Sequence, residues 1–189
     1  MTWKNTTDRW GPVSQLLHWL IVLLVLVLAI VGLTMGELPK TPKYFWVYTM
    51  HKSTGITLLA LVLVRIAWRL YAGAPRPVHG TPTWQARVAS VTHVLLYALL
   101  LVMPLSGWLY DSASGLRPFR WYGLVEMPKL SAPNTGVADL SHDAHELLFW
   151  VLAVLVVVHA AAALYHHMFQ NDDTLRRMLP GRRRGQQAG

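Results

Sequence analysis

No cysteine occurs in this chain. Disulfides, thiolate-bound clusters and thioether-linked cofactors are therefore excluded, and any metal must rest on other ligands. Charge is scarce too: Asp, Glu, Lys and Arg make up 14% of the 189 residues, against 53% for the hydrophobic ones. Soluble domains ordinarily carry about a quarter charged residues, so the composition points away from one. Acids are the scarcer sign, nine against seventeen Lys and Arg, for a net charge of +8.

The hydrophobic residues gather in four runs, 16–35, 56–70, 88–110 and 147–168. With flanking turns each reaches about 20 residues, enough at 1.5 Å per residue to cross roughly 30 Å of hydrocarbon. The fold class expected is all-α, a transmembrane four-helix bundle in one domain over 1–189. Its helices are expected at about 14–35, 50–71, 84–110 and 142–169. The first run is longer than a signal-peptide core and lacks an A-x-A-like cleavage site after it, so it is expected to be a retained helix.

Four alternating helices put Lys4, Arg9, Arg65, Arg69, Arg76, Arg87, Arg176, Arg177 and Arg182 to Arg184 on one side of the membrane. Lys40, Lys43, Lys52, Arg117, Arg120 and Lys129 fall on the other. The positive-inside rule then places both termini in the cytoplasm. The basic excess meets anionic lipid rather than nucleic acid. The link over 72–83, with Pro75, Pro77 and Pro82, reads as a connector. The outer loop over 111–140 carries FRWYGLVEMP, which reads as a segment lying along the membrane surface, and the basic tail over about 180–189 is expected to be disordered.

Nine histidines are unusual cargo for so apolar a chain. His145 and His159 are fourteen residues apart on one predicted helix, nearly four turns, so they share a face about 21 Å apart along the axis. His51, at the head of the second helix, lies level with His145. His18, near the start of the first, lies level with His159. Two neutral imidazoles facing each other across a bundle suit a six-coordinate haem iron, fit for electron transfer rather than oxygen binding. A single membrane histidine is as readily a helix-to-helix hydrogen bond. Two per depth on three helices fit that account poorly. Zinc or copper would ask for three or four ligands in one cluster, and here the histidines are split between two depths. His142, Asp143, His145 and Glu146 form the nearest such cluster, although His142 reads as a solvated helix-start residue.

Arg65 lies fourteen residues after His51 and returns to the same face at the inner depth, where its guanidinium suits a haem propionate. The alternative is an arginine snorkelling at the membrane edge, the reading for Arg69. His166, seven residues beyond His159, can supply the hydrogen bond and proton path that a quinone headgroup needs, with His93 a second candidate or a packing partner. His167 and His79 read as solvent-facing.

Five stretches carry a family likeness: QLLHWLIVLLV around His18, MHKSTG with His51, LVRIAWRL with Arg65, HELL with His145, and HAAAALYHHMFQNDDTLRRMLP from His159. Through them nearly the whole chain resembles the bacterial cytochrome b561 family of four-helix, di-haem membrane proteins. The resemblance implies axial haem ligation by His18, His51, His145 and His159 and two non-covalent haem b groups. It implies residence in the bacterial inner membrane. Family members with this C-terminal motif include the superoxide oxidase of enteric bacteria, which passes electrons from superoxide to ubiquinone. Related subunits relay electrons between a hydrogenase or formate dehydrogenase partner and quinone. The compact chain and short N-terminus favour a stand-alone carrier. The function expected is therefore an oxidoreductase that oxidises superoxide at the periplasmic face and reduces ubiquinone, the alternative being the relay subunit. A non-redox, histidine-rich transporter is a third class. Six outer basic residues face six outer acids, Glu37, Asp111, Glu126, Asp139, Asp143 and Glu146, so steering of an anion has to come from local arrangement.

Overall fold

The computed structural model describes residues 3–181. Residues 182–189, the greater part of the tail expected to be disordered, lie outside the described residues. Four helices are long and apolar enough to cross a membrane. α1 (Pro12–Met35) starts with Pro12 at the position where its missing N–H costs nothing, and carries no charged residue. α2 (Phe45–Ala72) follows a single 3₁₀ turn, Pro42–Tyr44. α3 (Thr83–Ala113) contains Pro104, and α4 (Thr135–Met168) is capped by Asn134, whose side chain accepts from the Val137 N–H at 3.0 Å.

α2, α3 and α4 all run beyond the bounds expected from hydropathy, α4 by seven residues at its start. Hydropathy sees only the apolar middle of a helix. The polar turns that continue it are set by capping and by packing against neighbours.

The loop between α3 and α4 departs from expectation. In place of a surface-lying segment, Arg120–Trp121 (β1) and Val125–Glu126 (β2) pair as a small antiparallel hairpin. Tyr122 at its turn takes a left-handed backbone, φ 46°, beside Gly123. The hairpin is pinned to α2: Trp121 Nε1 donates to Thr57 Oγ1 at 3.1 Å, and the Tyr122 N–H donates to Ser53 Oγ at 3.0 Å. Asp111 is likewise no loop residue. It lies in α3, 4% exposed, and pairs with Lys52 of α2 at 2.5 Å.

One buried apolar cluster joins three helices. Ile21, Leu58 and Val62 form it, and Tyr97, Leu100 and Leu101 pack against it. α3 lies closely along α4, α1 along α2 and α2 along α3, whereas α4 makes no comparable close approach to α1 or α2. Between α4 and the α1–α2 pair the bundle is thus spanned by side chains rather than by tight helix packing, which is where a planar group would fit.

At the end that carries both termini three segments interlock. Asn5 donates from Nδ2 to the Gly73 carbonyl and accepts at Oδ1 from the Gly11 N–H and the Ser14 hydroxyl. Arg9 donates to the Leu179 carbonyl, Trp19 to Met178 and Gln15 to Arg177, while Arg177 donates to the Arg76 carbonyl. Gly11 sits where any Cβ would meet the backbone oxygens of Trp3 and Lys4 at 2.6 Å, so the segment can fold back only over a glycine.

Candidate functional site

At the end opposite the termini, α2 presents His51 in its second turn and α4 presents His145 three turns from its start. Their ring centroids are 6.3 Å apart at an interplanar angle of 77°. Two imidazole–metal bonds of about 2 Å each, with the inner half of each ring added, span roughly the same distance. Both histidines border an apolar void with Val25, Leu28, Gly55, Pro104, Phe149 and Leu152. The side chains around the void are otherwise apolar.

Three features of these residues fit a metal held between the rings. His51 Nδ1 is buried without a hydrogen-bond partner, a costly state for a polar atom. His145 Nδ1 is engaged by the Met103 carbonyl and Ser106 Oγ, so its outstanding donor atom is Nε2. Among the described residues, moreover, no three His, Asp or Glu side chains gather as a bare metal ion would require. A pair of imidazoles suits a metal whose remaining positions are filled by its own macrocycle. The residues present therefore fit a haem better than zinc or copper.

The second level lies nearer the termini. His159 of α4 meets His93 of α3 with centroids 5.2 Å apart. His18 of α1 stands within electrostatic reach of His159, His93 and Arg65, its ring edge-on to Trp19. The ring contact here is thus made by His93, expected from the sequence as a second quinone candidate or a packing partner. Arg65 donates from Nε to the Tyr97 hydroxyl at 3.1 Å and from Nη1 to the Ser14 carbonyl at 2.9 Å. It faces into the bundle from the side on which His18 lies.

His166 closes α4 and finds a partner that the sequence reading missed. The chain reverses through Asn171, φ 50°, and brings Asp172 Oδ2 to 2.6 Å from His166 Nδ1. Burial alone raises the Asp172 carboxyl, yet hydrogen bonds from Thr174 and His166 outweigh it and hold the group below the ordinary carboxylate value. The signal was available in NDDT, an acid six residues past a helix-end histidine. His167 also differs from expectation: its Nδ1 is buried and unpartnered rather than solvent-facing.

The charges at the far end are partly spent. Lys52, one of the six basic residues counted there, is neutralised by Asp111, and Lys129 is turned onto the Leu116 carbonyl. Lys40, Lys43, Arg117 and Arg120 remain exposed.

Comparison with known proteins places the chain among relatives of one family. Residues 9–181 match the profile of prokaryotic cytochrome b561. The chain is 34% identical over 186 residues to cytochrome b561 homolog 2 of Escherichia coli strain K12, covering 95% of each. It is 30% identical over 177 residues to cytochrome b561 homolog 1 of the same strain, covering 93% of this chain and 99% of the other. To the probable superoxide oxidase CybB of Yersinia pestis it is 32% identical over 169 residues, covering 88% and 93%.

Proposed function

This chain belongs to the prokaryotic cytochrome b561 family, which makes it a haem b-binding electron-transfer protein of the bacterial membrane, and we propose that it holds two haem b groups and moves electrons from superoxide to ubiquinone. His51 and His145 would hold one, His18 and His159 the other, with Arg65 turned to a propionate of the second. Haem b supplies a reversible one-electron couple at each level. By the positive-inside rule the end carrying the termini faces the cytoplasm, so the His51–His145 level faces the periplasm.

Superoxide gives up one electron at the periplasmic level and leaves as O2. His51 and His145 would both be engaged in holding the haem, which would supply the one-electron acceptor at this level. Two such electrons and two cytoplasmic protons convert one ubiquinone into ubiquinol. His166, fixed at Nδ1 by the Asp172 carboxylate, presents Nε2 as the hydrogen bond to the quinone carbonyl and as the carrier of its proton. His93, in contact with His159, is a second polar group at this level.

The observation that carries the reading is the 6.3 Å separation of the His51 and His145 rings across a gap that the helices do not close. The likeness to the Yersinia pestis protein supports superoxide as the donor. The test is rapid-mixing absorbance of the detergent-purified protein after addition of superoxide, with and without a soluble ubiquinone analogue. Fast haem reduction that the quinone drains is the expected result. A red protein that quinol reduces and superoxide does not overturns the donor, and co-purification with a larger dehydrogenase or hydrogenase then marks a relay subunit.

A further inference from the structure

The two imidazoles at the periplasmic level are held in different ways. His145 Nδ1 lies 2.9 Å from the Met103 carbonyl oxygen and 3.1 Å from Ser106 Oγ. The Ser106 hydroxyl donates to that same carbonyl at 2.7 Å. A carbonyl oxygen only accepts, so the proton of the imidazole is on Nδ1. The serine, its own proton committed to Met103, receives a share of that N–H with its oxygen. The tautomer is thereby fixed, and the free lone pair is on Nε2.

Gly107 closes the arrangement from below. A Cβ at this position would come 3.0 Å from His145 Cε1 and 3.1 Å from Nδ1. His51 has no such setting. Its Nδ1 has no partner, and a Cβ on the neighbouring Gly32 of α1 would stand 3.3 Å from Cε1 and 4.0 Å from Nδ1. One ring is pinned at its rear nitrogen and hemmed by backbone. The other has no hydrogen bond at its Nδ1.

We propose, resting on the reading of His51 and His145 as axial ligands, that Met103, Ser106 and Gly107 form a seat on α3 that positions His145, and that His51 lacks a counterpart. The electronic character of this centre is then set from the α4 side. A hydrogen bond from Nδ1–H makes Nε2 a stronger donor and favours the oxidised metal, so removing an acceptor raises the midpoint potential. A pinned ring cannot swing away from an intruding methyl group, whereas an unpinned one can.

The experiment uses the full-length protein purified in detergent, with low-spin ferric EPR and a spectroelectrochemical titration as readouts, and His145→Ala as the reference that identifies the centre. Ser106→Ala is expected to raise the midpoint of the centre that His145→Ala abolishes and to leave the other unmoved, while Ser106→Thr, which keeps the hydroxyl, retains the parent value. Gly107→Ala is expected to remove or reshape the signal of that centre, and Gly32→Ala to keep both signals. The signal of the second centre in each sample reports folded protein. If His145→Ala retains both haems, the ligand reading itself fails. If His145→Ala loses one haem but Ser106→Ala titrates like the parent, or Gly32→Ala does as much damage as Gly107→Ala, the seat is overturned.

Discussion

Replacing Asp111 by Asn strands the Lys52 ammonium between α2 and α3, where the carboxylate, 4% exposed, now meets it at 2.5 Å. At an effective dielectric of about 20, opposite charges some 4 Å apart attract by roughly 4 kcal/mol before desolvation. Removing one partner from a fully buried pair costs about 3–5 kcal/mol. Lys52 keeps 30% of its side chain exposed, so the orphaned ammonium recovers part of its hydration. The cost expected is therefore about 2 kcal/mol, below that range after discounting. In a chain of this length that lowers the unfolding midpoint by roughly 4–8 °C, read by thermal unfolding in detergent. The paired variant Lys52→Met with Asp111→Leu removes both charges together and is expected to lie within about 1 kcal/mol of the parent. A shift below about 1 °C for Asp111→Asn, or a double variant no more stable than the single one, would refute this account of the pair.

Three further outcomes are expected. Substituting His51 or His145 by Ala removes one haem and leaves the other, read as half the haem-to-protein ratio of the parent; retention of both would break the assigned pairing. The Asp172 carboxyl titrates below its ordinary range when folded, so its hydrogen bonds stabilise fully above the unfolded carboxylate value and are lost as pH falls through the depressed one. Asp172→Asn should accordingly cost stability near neutrality by a margin that shrinks on acidification, and a margin independent of pH counts against the assignment. Gly11→Ala forces the N-terminal segment off the backbone oxygens it touches, at about 1–3 kcal/mol. Limited proteolysis should then cut within residues 3–10 faster than in the parent, and an unchanged rate argues that the segment yields without strain.

What could be read from the chain and what could not divide along physical lines. Membrane helices announce themselves because hydrocarbon demands a long apolar run, so all four are visible in hydropathy. Their ends are not, because Asn134 and the polar turns after it form a helix through capping and contact with α3. The hairpin at 120–126 was beyond reach: its two-residue strands have no periodicity, and hydrogen bonds to Ser53 and Thr57, distant in sequence, hold it in place. Counting turns set His51 level with His145, since both lie near helix starts at one end. It did not reveal that His93 touches His159, because rotation of α3 about its axis is decided by packing. Nor did it pair Lys52 with Asp111, which was counted as a loop acid until α3 was seen to extend through it.

The clasp at the terminal end orders events in biosynthesis. Arg9 donates to a carbonyl 170 residues further along, and Trp19 and Gln15 to others about as distant. At a synthesis rate of about 5–20 residues per second, those acceptors leave the ribosome on the order of ten to thirty seconds after the donors. Ile21, Leu58 and Val62 need only α1 and α2 and can pack in the meantime, with α3 joining them next. The N-terminal segment has to wait for the chain beyond α4. Arg9, Gln15 and Trp19 are thus fastened only by residues synthesised long after them, once α4 is in the membrane.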